Sequence, residues 1–412
     1  MSVTPGRKRM LGFTDSISLE EAVQRMLSVN WLKPPNTERK IEDCFGLISN
    51  QKVFAEKDVP EQPVSAVDGY AIRAHDTYDI GEGETREITV KGISEAGKKF
   101  TGSVPPGTCC EVYTGAPIPD DCDSVIMAED VTRQGNTIRI CRKIESGKNV
   151  RLKGEDISAG LQIASPGDLL NSFRIGACVS SGVTEINVLD PIKVSVISTG
   201  DELMEGSERH IANSSQWLIV DYFKRNWLNF KAAGICPDDP ECIRSMIMKE
   251  ISISDLAVVT GGTSLGMKDL VPEAMNGFGK TIFAGINMRP GRTITLYEVG
   301  RKPVFSISGL PGPGLTSFET IFEAYVQRYL GINAVRRTIY AKASQHIELR
   351  KNSTMIRRIK IFQGKDGAYF EAVKSSGLLS LLESDGIIQT EADKNSIKEG
   401  EIFPVKLNGW EV

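Results

Sequence analysis

Residues 258–271 read VVTGGTSLGMKDLV, and this stretch decides the predicted fold. An apolar run ends at two glycines, and helix-forming residues follow from Asp269 to position 278. A strand, a glycine turn and a helix in this order form the unit of an α/β sheet. Two interpretations of the turn stay open: a glycine loop whose backbone N–H groups bind an anion, or a tight turn with Asp269 as helix cap. The stretch alone slightly favours the tight turn, and it lacks the Gly-Lys-Ser/Thr of a P-loop.

Strands and helices alternate on both sides of this stretch, from residue 191 to residue 334. The predicted strands are IKVSVIST (192–199), DLAVVT (255–260) and PVFSIS (303–308), and the predicted helices are 214–230, 239–251 and 315–330. This alternation predicts a mostly parallel α/β sheet with right-handed crossovers. Ligands of such sheets bind beyond the carboxyl ends of the strands, so the loops GDEL, GGTSLG and GLPGPG are candidate binding loops.

The flanking segments differ from this region in composition and in the spacing of their apolar residues. Ser18 and Glu21 form a capping-box pattern before an apolar stripe, which predicts a helix at the start of residues 15–60. Residues 61–146 hold short β-rich runs broken by Gly, Pro and Asp, which predicts a small β-domain. Residues 147–190 are glycine-rich, with a helix predicted near 171–181, and the chain is again β-rich after about residue 334, as in a small barrel or sandwich.

Composition excludes several classes of protein. The 412 residues exceed what one core supports, so two to four domains are expected. The net charge of −4, with basic residues spread along the chain, argues against duplex nucleic acid as a partner. No apolar stretch is long enough for a membrane span and no secretory signal is recognisable, so we expect a soluble cytoplasmic protein. Eight cysteines without a C-x-x-C pair and three scattered histidines favour a hard, oxygen-bound metal such as Mg²⁺ over zinc.

Four further segments carry candidate functional residues. Glu202 in STGDEL follows a predicted strand and could hold a cation, and Arg289 and Arg292 flank a Pro-Gly turn that suits an oxyanion. Asp68 lies in the turn of SAVDGYA, and the segment TGAPIPDDCDSVIMAED (114–130) joins a turn to an acidic run. Taken singly, each segment is also explained as a solvated surface turn.

The order of these motifs along the chain is more specific than any one of them. Between residues 65 and 388 the chain holds, in order, SAVDGYA, TGAPIPDDCDSVIMAED, GEDISAG, STGDEL, TGGTSLGMKD, NMRPGR, GLPG and SSGLLSLLESDGII. In this order the chain resembles the molybdopterin molybdenumtransferase family, which includes the bacterial MoeA proteins and the E domain of gephyrin.

The resemblance implies a dimer with four domains per chain. It implies an elongated, discontinuous domain of residues 12–60 and 147–190 and an inserted β-domain of residues 61–146. It also implies an α/β molybdopterin-binding domain of residues 191–334 and a C-terminal β-barrel-like domain of residues 335–412. The implied reaction joins molybdate to adenylylated molybdopterin and releases AMP, with assistance from Mg²⁺. The cleft of this family also uses the β-domain of the partner subunit.

The resemblance assigns roles to the candidate residues. Asp68, Glu202 and Asp269 would be catalytic and would converge on Mg²⁺, which reverses the local electrostatics for an anionic substrate. Arg289 and Arg292 would neutralise molybdate or the pyrophosphate bridge. The remaining predicted cofactor-binding residues are Thr114, Gly115, Gly261, Gly262, Ser264, Gly266, Ser308, Gly309 and Pro311.

Two departures from the family pattern leave alternatives open. The family usually has lysines where this chain has Arg289 and Arg292, and its Leu-Pro-Gly-Asn-Pro is LPGPG here, at residues 310–314. One alternative is a paralogue that handles tungstate or delivers the finished cofactor, and another is a non-catalytic dimeric scaffold. A molybdopterin adenylyltransferase and apo-molybdoenzymes are the implied partners of the transferase.

Overall fold

The computed structural model describes residues 16–207, 210–261, 270–333 and 336–409. The described residues pack into two compact units. The first unit contains those within 1–51, 165–171 and 187–412, and the second contains 52–164 and 172–186. The four domain boundaries expected from the sequence remain a prediction.

A six-stranded sheet forms the centre of the first unit. Its order is Leu228–Cys236, Ile192–Thr199, Leu256–Thr260, Lys302–Ile307, Thr295–Val299 and Lys280–Ala284. The first four strands are parallel and the last two are antiparallel, which confirms the predicted mostly parallel α/β sheet. All five residues of Leu256–Thr260 are buried, as expected for a central strand covered on both faces.

Seven α-helices lie in the part of the chain that the structure describes. They are α1 (Leu19–Leu27), α2 (Ser172–Ser180), α3 (Ser214–Phe223), α4 (Pro240–Ile253), α5 (Leu270–Met275), α6 (Pro311–Ala324) and α7 (Gly377–Glu383). The capping prediction for α1 is confirmed, because the Ser18 side chain accepts a hydrogen bond of 3.1 Å from the Glu21 backbone. Shorter 3-10 turns are Ile41–Asp43, Ala74–Thr77, Ala128–Asp130 and Asp201–Leu203. None of the described helices combines the length and apolar composition that crossing a membrane requires.

Two of the predicted helices have different limits in the structure. The helix predicted at 214–230 ends at Phe223, and residues from Leu228 form an edge strand. Leu228 and Phe230 are buried while Asn229 and Lys231 are exposed. This alternation of burial every second residue is that of a strand, and the helix does not continue. The helix predicted at 315–330 begins earlier, at Pro311, because proline is well tolerated in the first helical turn. Its last turn is a π-helix, Tyr325–Tyr329.

Aromatic packing fixes α6 against the sheet and against α3. Phe318 of α6 lies 5.2 Å from Phe305 of the sheet and 5.2 Å from Phe223 of α3, between ring centroids. Phe322 contacts Phe223 one turn later, at 5.6 Å. These edge-to-face contacts hold the N-terminus of α6 beside the ends of the parallel strands.

The C-terminal part of the first unit is a closed five-stranded barrel, which confirms the predicted barrel-like domain. The strands follow the order Thr354–Gly364, Gly367–Ala372, Thr338–Ala343, Ile402–Leu407 and Gly386–Thr390, and the last pairs again with the first. The short strand Met288–Arg289 pairs with Thr354–Met355 at the edge of this barrel. Smaller pairs are Ile347–Glu348 with Ser396–Ile397, and Glu185–Leu189 with Ile48–Ser49, while Asn36–Lys40 also joins the latter sheet.

The second unit is built on another six-stranded sheet, and this confirms the predicted small β-domain. Its order is Ser124–Met127, Gly69–Ile72, Thr108–Val112, Arg86–Ser94, Thr137–Ile140 and Thr132–Gln134. Two-stranded pairs join Val150–Arg151 to Val64–Ser65 and Gln162–Ala164 to Val53–Phe54. Helix α2 confirms the helix predicted near 171–181.

Candidate functional site

Three predicted binding loops begin at one edge of the α/β sheet. Ser198 is in register with Thr260, and Thr260 is in register with Ile307, so the carboxyl ends of the three strands lie side by side. The residues that follow these ends therefore share one edge, as expected from the sheet topology.

A cavity of about 640 Å³ opens at this edge, and we call it the sheet-edge cavity. Five of the predicted site residues line it: Glu202, Gly261, Ser308, Gly309 and Pro311. Its other lining residues are Thr199, Gly200, Leu203, Ile211, Ala212, Asn213, Ser214, Ser215, Asp238, Thr260, Thr293 and Leu310. The predictions for Gly262, Ser264, Gly266 and Asp269 lie outside the described residues.

A hydrogen-bond network supports the floor of the sheet-edge cavity. The Asn213 side chain caps α3 and bonds the Ser198 hydroxyl, which also lies 3.0 Å from the Thr260 hydroxyl. Gln216 of α3 donates to the carbonyls of Val196 and Gly234. The network fixes the start of α3 relative to the ends of two strands.

The glycines of this cavity allow backbone segments to approach closely. Gly261 has a φ of +97°, and a Cβ there would lie 2.4 Å from the carbonyl oxygen of Thr199. A Cβ at Gly309 would lie 3.3 Å from the Cα of Gly261. The loops after two neighbouring strands thus touch through their glycines, and a side chain at 261 would separate them.

Two carboxylates beside the cavity have different surroundings. Asp201 accepts a 2.9 Å hydrogen bond from the Asp238 backbone, so it ties two loops together. Glu202 is exposed, and its carboxylate lies over Gly200, where a Cβ would come within 2.6 Å of it. Glu202 is therefore the carboxylate better placed to meet a ligand or a cation.

A second cavity of about 450 Å³ contains the two predicted arginines, and we call it the arginine cavity. Arg357 and Arg358 of the barrel line it together with Arg289 and Arg292. Its other lining residues are Met288, Pro290, Gly291, Gly312, Pro313, Thr316, Met355, Ile356, Val373, Ser375, Ser376, Gly377 and Ser380. Among its described lining residues there is no Asp or Glu, so four guanidinium groups make it strongly cationic.

Packing against α6 positions the arginine turn. Gly291 has a φ of +95°, and a Cβ there would lie 2.6 Å from the Ser317 side chain and 2.8 Å from the Pro313 carbonyl. Burial, and then the charges of Arg350 and Arg292, lower the pKa of Arg289. Burial and mutual repulsion destabilise these positive charges, so an anion that binds beside them is stabilised.

Arg358 is held at the back of the arginine cavity by neutral partners. Its guanidinium donates to the Thr316 hydroxyl at 3.2 Å and to the Asn408 side-chain oxygen at 3.4 Å. Burial lowers the pKa of Arg358, although the charge of Glu319 opposes this shift. Sequence reasoning missed Arg357 and Arg358, and the signal was two adjacent arginines in the apolar run MIRRIKI (355–361).

The N-terminus of α6 lies between the two cavities. Pro311 lines the sheet-edge cavity, and the next two residues, Gly312 and Pro313, line the arginine cavity. A 14-residue helix presents partial positive charge at this end, which favours anions on either side. The altered LPGPG motif thus forms the first helical turn rather than a loop.

The second unit places Asp68, Thr114 and Gly115 together. One carboxylate oxygen of Asp68 accepts hydrogen bonds from the Thr114 backbone at 2.7 Å and from its hydroxyl at 2.8 Å. These two bonds, the backbone one first, lower the pKa of Asp68. Gly115 follows with a φ of +80°. Within the described ranges, no three His, Cys, Asp or Glu side chains come close enough to bind a metal ion, and the Mg²⁺ set stays a prediction.

Two family profiles match most of the chain. Residues 17–182 match the MoeA N-terminal region (domain I and II), and residues 195–331 match a probable molybdopterin binding domain. The molybdopterin biosynthesis MoeA protein of Pyrococcus horikoshii is 26% identical and covers 95% of this chain and 100% of its own, with a TM-score of 0.79. The chain belongs to the MoeA family.

Similar proteins across the MoeA family match nearly the whole chain. A molybdopterin molybdenumtransferase of Staphylococcus epidermidis is 27% identical over 402 residues, which cover 95% of both proteins. A putative molybdopterin biosynthesis protein of Methanocaldococcus jannaschii is 28% identical over 385 residues, 90% of this chain and 92% of that protein. The sheet-edge cavity lies wholly in the region that matches the probable molybdopterin binding domain, whereas the arginine cavity combines residues of that region with residues of the C-terminal part, among them Arg357 and Arg358.

Proposed function

We propose that this chain is a molybdopterin molybdenumtransferase, which inserts molybdate into adenylylated molybdopterin and releases AMP. The observation that carries the proposal is the pair of cavities on the two sides of the α6 N-terminus. One presents a carboxylate and glycine backbone, and the other presents four arginines. Such a pair can hold a phosphoanhydride and a separate oxyanion side by side.

The sheet-edge cavity suits the adenylylated molybdopterin. Its volume falls in the usual range for small-molecule sites, and Gly261 and Gly309 line it without side chains that would fill it. Ser308 and Pro311, which the resemblance assigns to cofactor binding, line the same cavity. The phosphoanhydride would lie near the α6 N-terminus, where the helix dipole favours negative charge.

The arginine cavity suits molybdate. Arginine forks bind tetrahedral oxyanions through paired N–H donors, and four of them surround the cavity. Arg289 and Arg292 keep the positive charge of the lysines that they replace, and Arg357 and Arg358 add to it. The cavity orients the oxyanion for transfer to the dithiolene sulfurs, so positioning and electrostatics carry the catalysis.

The residues near the sheet-edge cavity are compatible with Mg²⁺. Protein Mg²⁺ sites commonly use one or two carboxylates together with substrate phosphates, and exposed Glu202 provides one carboxylate. Asp68 and Asp269 are the other proposed ligands. Bound Mg²⁺ would neutralise the phosphoanhydride and make AMP a better leaving group.

Asp68, Thr114 and Gly115 enter the proposal as residues of a homodimer. We propose that the second unit of one chain supplies them to the cleft of its partner. The Thr114 hydrogen bonds keep Asp68 ionised, which suits a carboxylate that meets a cation. Upstream, a molybdopterin adenylyltransferase would supply the substrate, and downstream apo-molybdoenzymes would receive the product.

The alternatives open from the sequence are less favoured. The relatives are named as a molybdenumtransferase and a putative biosynthesis protein, not as carriers or scaffolds. Arg289 and Arg292 keep the arginine cavity positively charged. The LPGPG segment continues into the first turn of α6. Neither departure from the family pattern therefore argues against anion binding. Replacing molybdate by tungstate in the same assay tests the remaining choice of oxyanion.

AMP release tests the proposal. The purified protein is supplied with adenylylated molybdopterin and Mg²⁺, with and without molybdate, and AMP is measured against time. We expect release that depends on molybdate. Binding of the substrate without release would favour the carrier, and no binding would favour the scaffold.

A further inference from the structure

The Thr199 hydroxyl is buried in the wall of the sheet-edge cavity without a hydrogen-bond partner among the described residues. Thr199 is 2% exposed and ends the central strand Ile192–Thr199. Most buried hydroxyls in folded proteins are bonded, because an unpaired one loses its bonds to water without replacement. A buried hydroxyl without a partner that lines a cavity is therefore expected to bond a ligand that enters the cavity.

The neighbouring hydroxyls in the same wall are already engaged. The Thr260 hydroxyl lies 3.0 Å from that of Ser198, and Ser215 donates to the Gly309 carbonyl at 2.6 Å. The Ser308 hydroxyl accepts from the Leu310 backbone at 3.2 Å. Thr199, Ser215 and Thr260 carry the buried hydroxyls of this wall, and among these three only that of Thr199 has no hydrogen-bond partner in the described part of the chain.

The direction of the Thr199 side chain indicates which part of a ligand it would meet. A Cβ added at Gly261 would lie 2.8 Å from the Thr199 hydroxyl oxygen, so this oxygen points at the first glycine of the GGTSLG run. A ligand group that enters the cavity beside Gly261 would therefore come within hydrogen-bond reach of Thr199.

The charges of the cavity indicate that a neutral donor is needed. Its described lining contains Glu202 and Asp238 but no Lys, Arg or His. A phosphate oxygen accepts hydrogen bonds and a hydroxyl can donate one, so Thr199 can contact a phosphate where no cationic side chain does.

We propose that Thr199 is a substrate-binding residue whose hydroxyl donates to a phosphate oxygen of the adenylylated molybdopterin. This inference rests on the proposed function and adds a contact that the motif order did not suggest. The contact explains why a buried hydroxyl without a partner in the described part of the chain is kept at the end of this strand.

The test compares Thr199→Val with Thr199→Ser and with Thr260→Val. Valine has the shape of threonine without the hydroxyl, and serine keeps the hydroxyl. Without ligand, Thr199→Val should unfold at the same urea concentration as the wild-type protein or higher, because no bond is lost. Thr260→Val should unfold at a lower concentration, because the buried Ser198 hydroxyl loses one of its two partners.

With substrate, Thr199→Val should raise the KM for adenylylated molybdopterin about tenfold, the loss of one hydrogen bond to a charged group. Thr199→Ser should stay within about twofold, since the donor remains. As a probe of the phosphate, AMP should inhibit Thr199→Val about tenfold more weakly than wild type, while inhibition by adenosine should be unchanged.

Each outcome separates this inference from the proposed function. A stability loss in Thr199→Val as large as that in Thr260→Val would show that the hydroxyl bonds within the protein, and would overturn the inference. An active wild-type protein with an unchanged KM in Thr199→Val would also overturn it, and would leave the proposed function standing. A wild-type protein that releases no AMP would refute both.

Discussion

Gly261 combines a positive φ with close backbone contact, so it should tolerate no side chain. Gly261→Ala places a Cβ 2.4 Å from the Thr199 carbonyl at a φ of +97°. We expect a loss of about 2–3 kcal/mol in the free energy of unfolding, measured by urea titration, since backbone strain and a clash add. Gly206→Ala is the matched control, because its φ is +83° but nothing lies within 4 Å of the added Cβ. An equal loss in both variants would mean that the clash contributes nothing.

Thr114 controls the ionisation of Asp68. Thr114→Val removes one of two hydrogen bonds to the carboxylate, so the pKa of Asp68 should rise towards its ordinary value, as followed by carbon NMR titration of the carboxyl group. A carboxyl with a lowered folded pKa stabilises the protein above its unfolded pKa of about 3.9, and this contribution is lost as the pH falls through the folded pKa. An unchanged pKa in the variant would contradict the role given to the hydroxyl.

The local sequence predicts the positions of those site residues that directly follow a strand of the α/β sheet. Glu202, Gly261 and Ser308 lie where strand ends predict them, because the carboxyl edge of a parallel sheet follows from the order of its strands. Arg358 was missed, since it lies in the barrel strand Thr354–Gly364, between the GLPG and SSGLLSLLESDGII motifs and in neither of them. A contact between segments that are far apart in the chain produces no periodic pattern of residues from which it could be predicted.

A buried ionic cluster joins α6 to the segment before the barrel. Arg336 lies 2.9 Å from Glu319 and 3.1 Å from Glu323, and the Arg336 and Glu319 side chains are each 1% exposed. Glu319 also accepts a 2.5 Å hydrogen bond from Tyr222, and burial raises the pKa of that phenol. The cluster lies one turn along α6 from Thr316, which bonds Arg358.

Arg336→Met should destabilise the protein strongly, because it leaves two buried carboxylates without their guanidinium. We expect a loss of about 3–5 kcal/mol in the free energy of unfolding, measured by urea titration. Arg25→Met, which breaks the exposed pair with Glu21, should cost less than about 1 kcal/mol. Similar losses in both variants would show that the buried cluster is not a source of stability.

The elements were predicted best where one pattern continued over a whole segment. The buried strands and α4 follow from apolar runs and helical spacing bounded by capping residues. The edge strand Leu228–Cys236 was missed because no glycine or proline separates it from α3 in the sequence. These residues form a strand because they pair with Ile192–Thr199. That pairing joins segments far apart in the chain, so the local sequence does not reveal it.

The proposed homodimer makes a prediction about mixed subunits. If Asp68 of one chain serves the Glu202 of its partner, Asp68→Asn and Glu202→Gln should each be inactive alone. Mixing the unfolded variants and refolding them together should restore roughly a quarter of wild-type AMP release, because half of the dimers are mixed and each has one intact cleft of two. Size-exclusion chromatography checks that dimers form. No recovery from a dimeric mixture would place both residues in the cleft of one chain, or refute their roles.

In the proposed transferase the sheet-edge cavity binds adenylylated molybdopterin and the arginine cavity binds molybdate, and one kinetic measurement tests this division. AMP release is followed at varied molybdate and varied adenylylated molybdopterin, for the wild-type protein and for Arg289→Gln. The variant should need at least tenfold more molybdate for half-maximal release, with the KM for adenylylated molybdopterin nearly unchanged. An unchanged molybdate requirement together with a raised KM for adenylylated molybdopterin would contradict it.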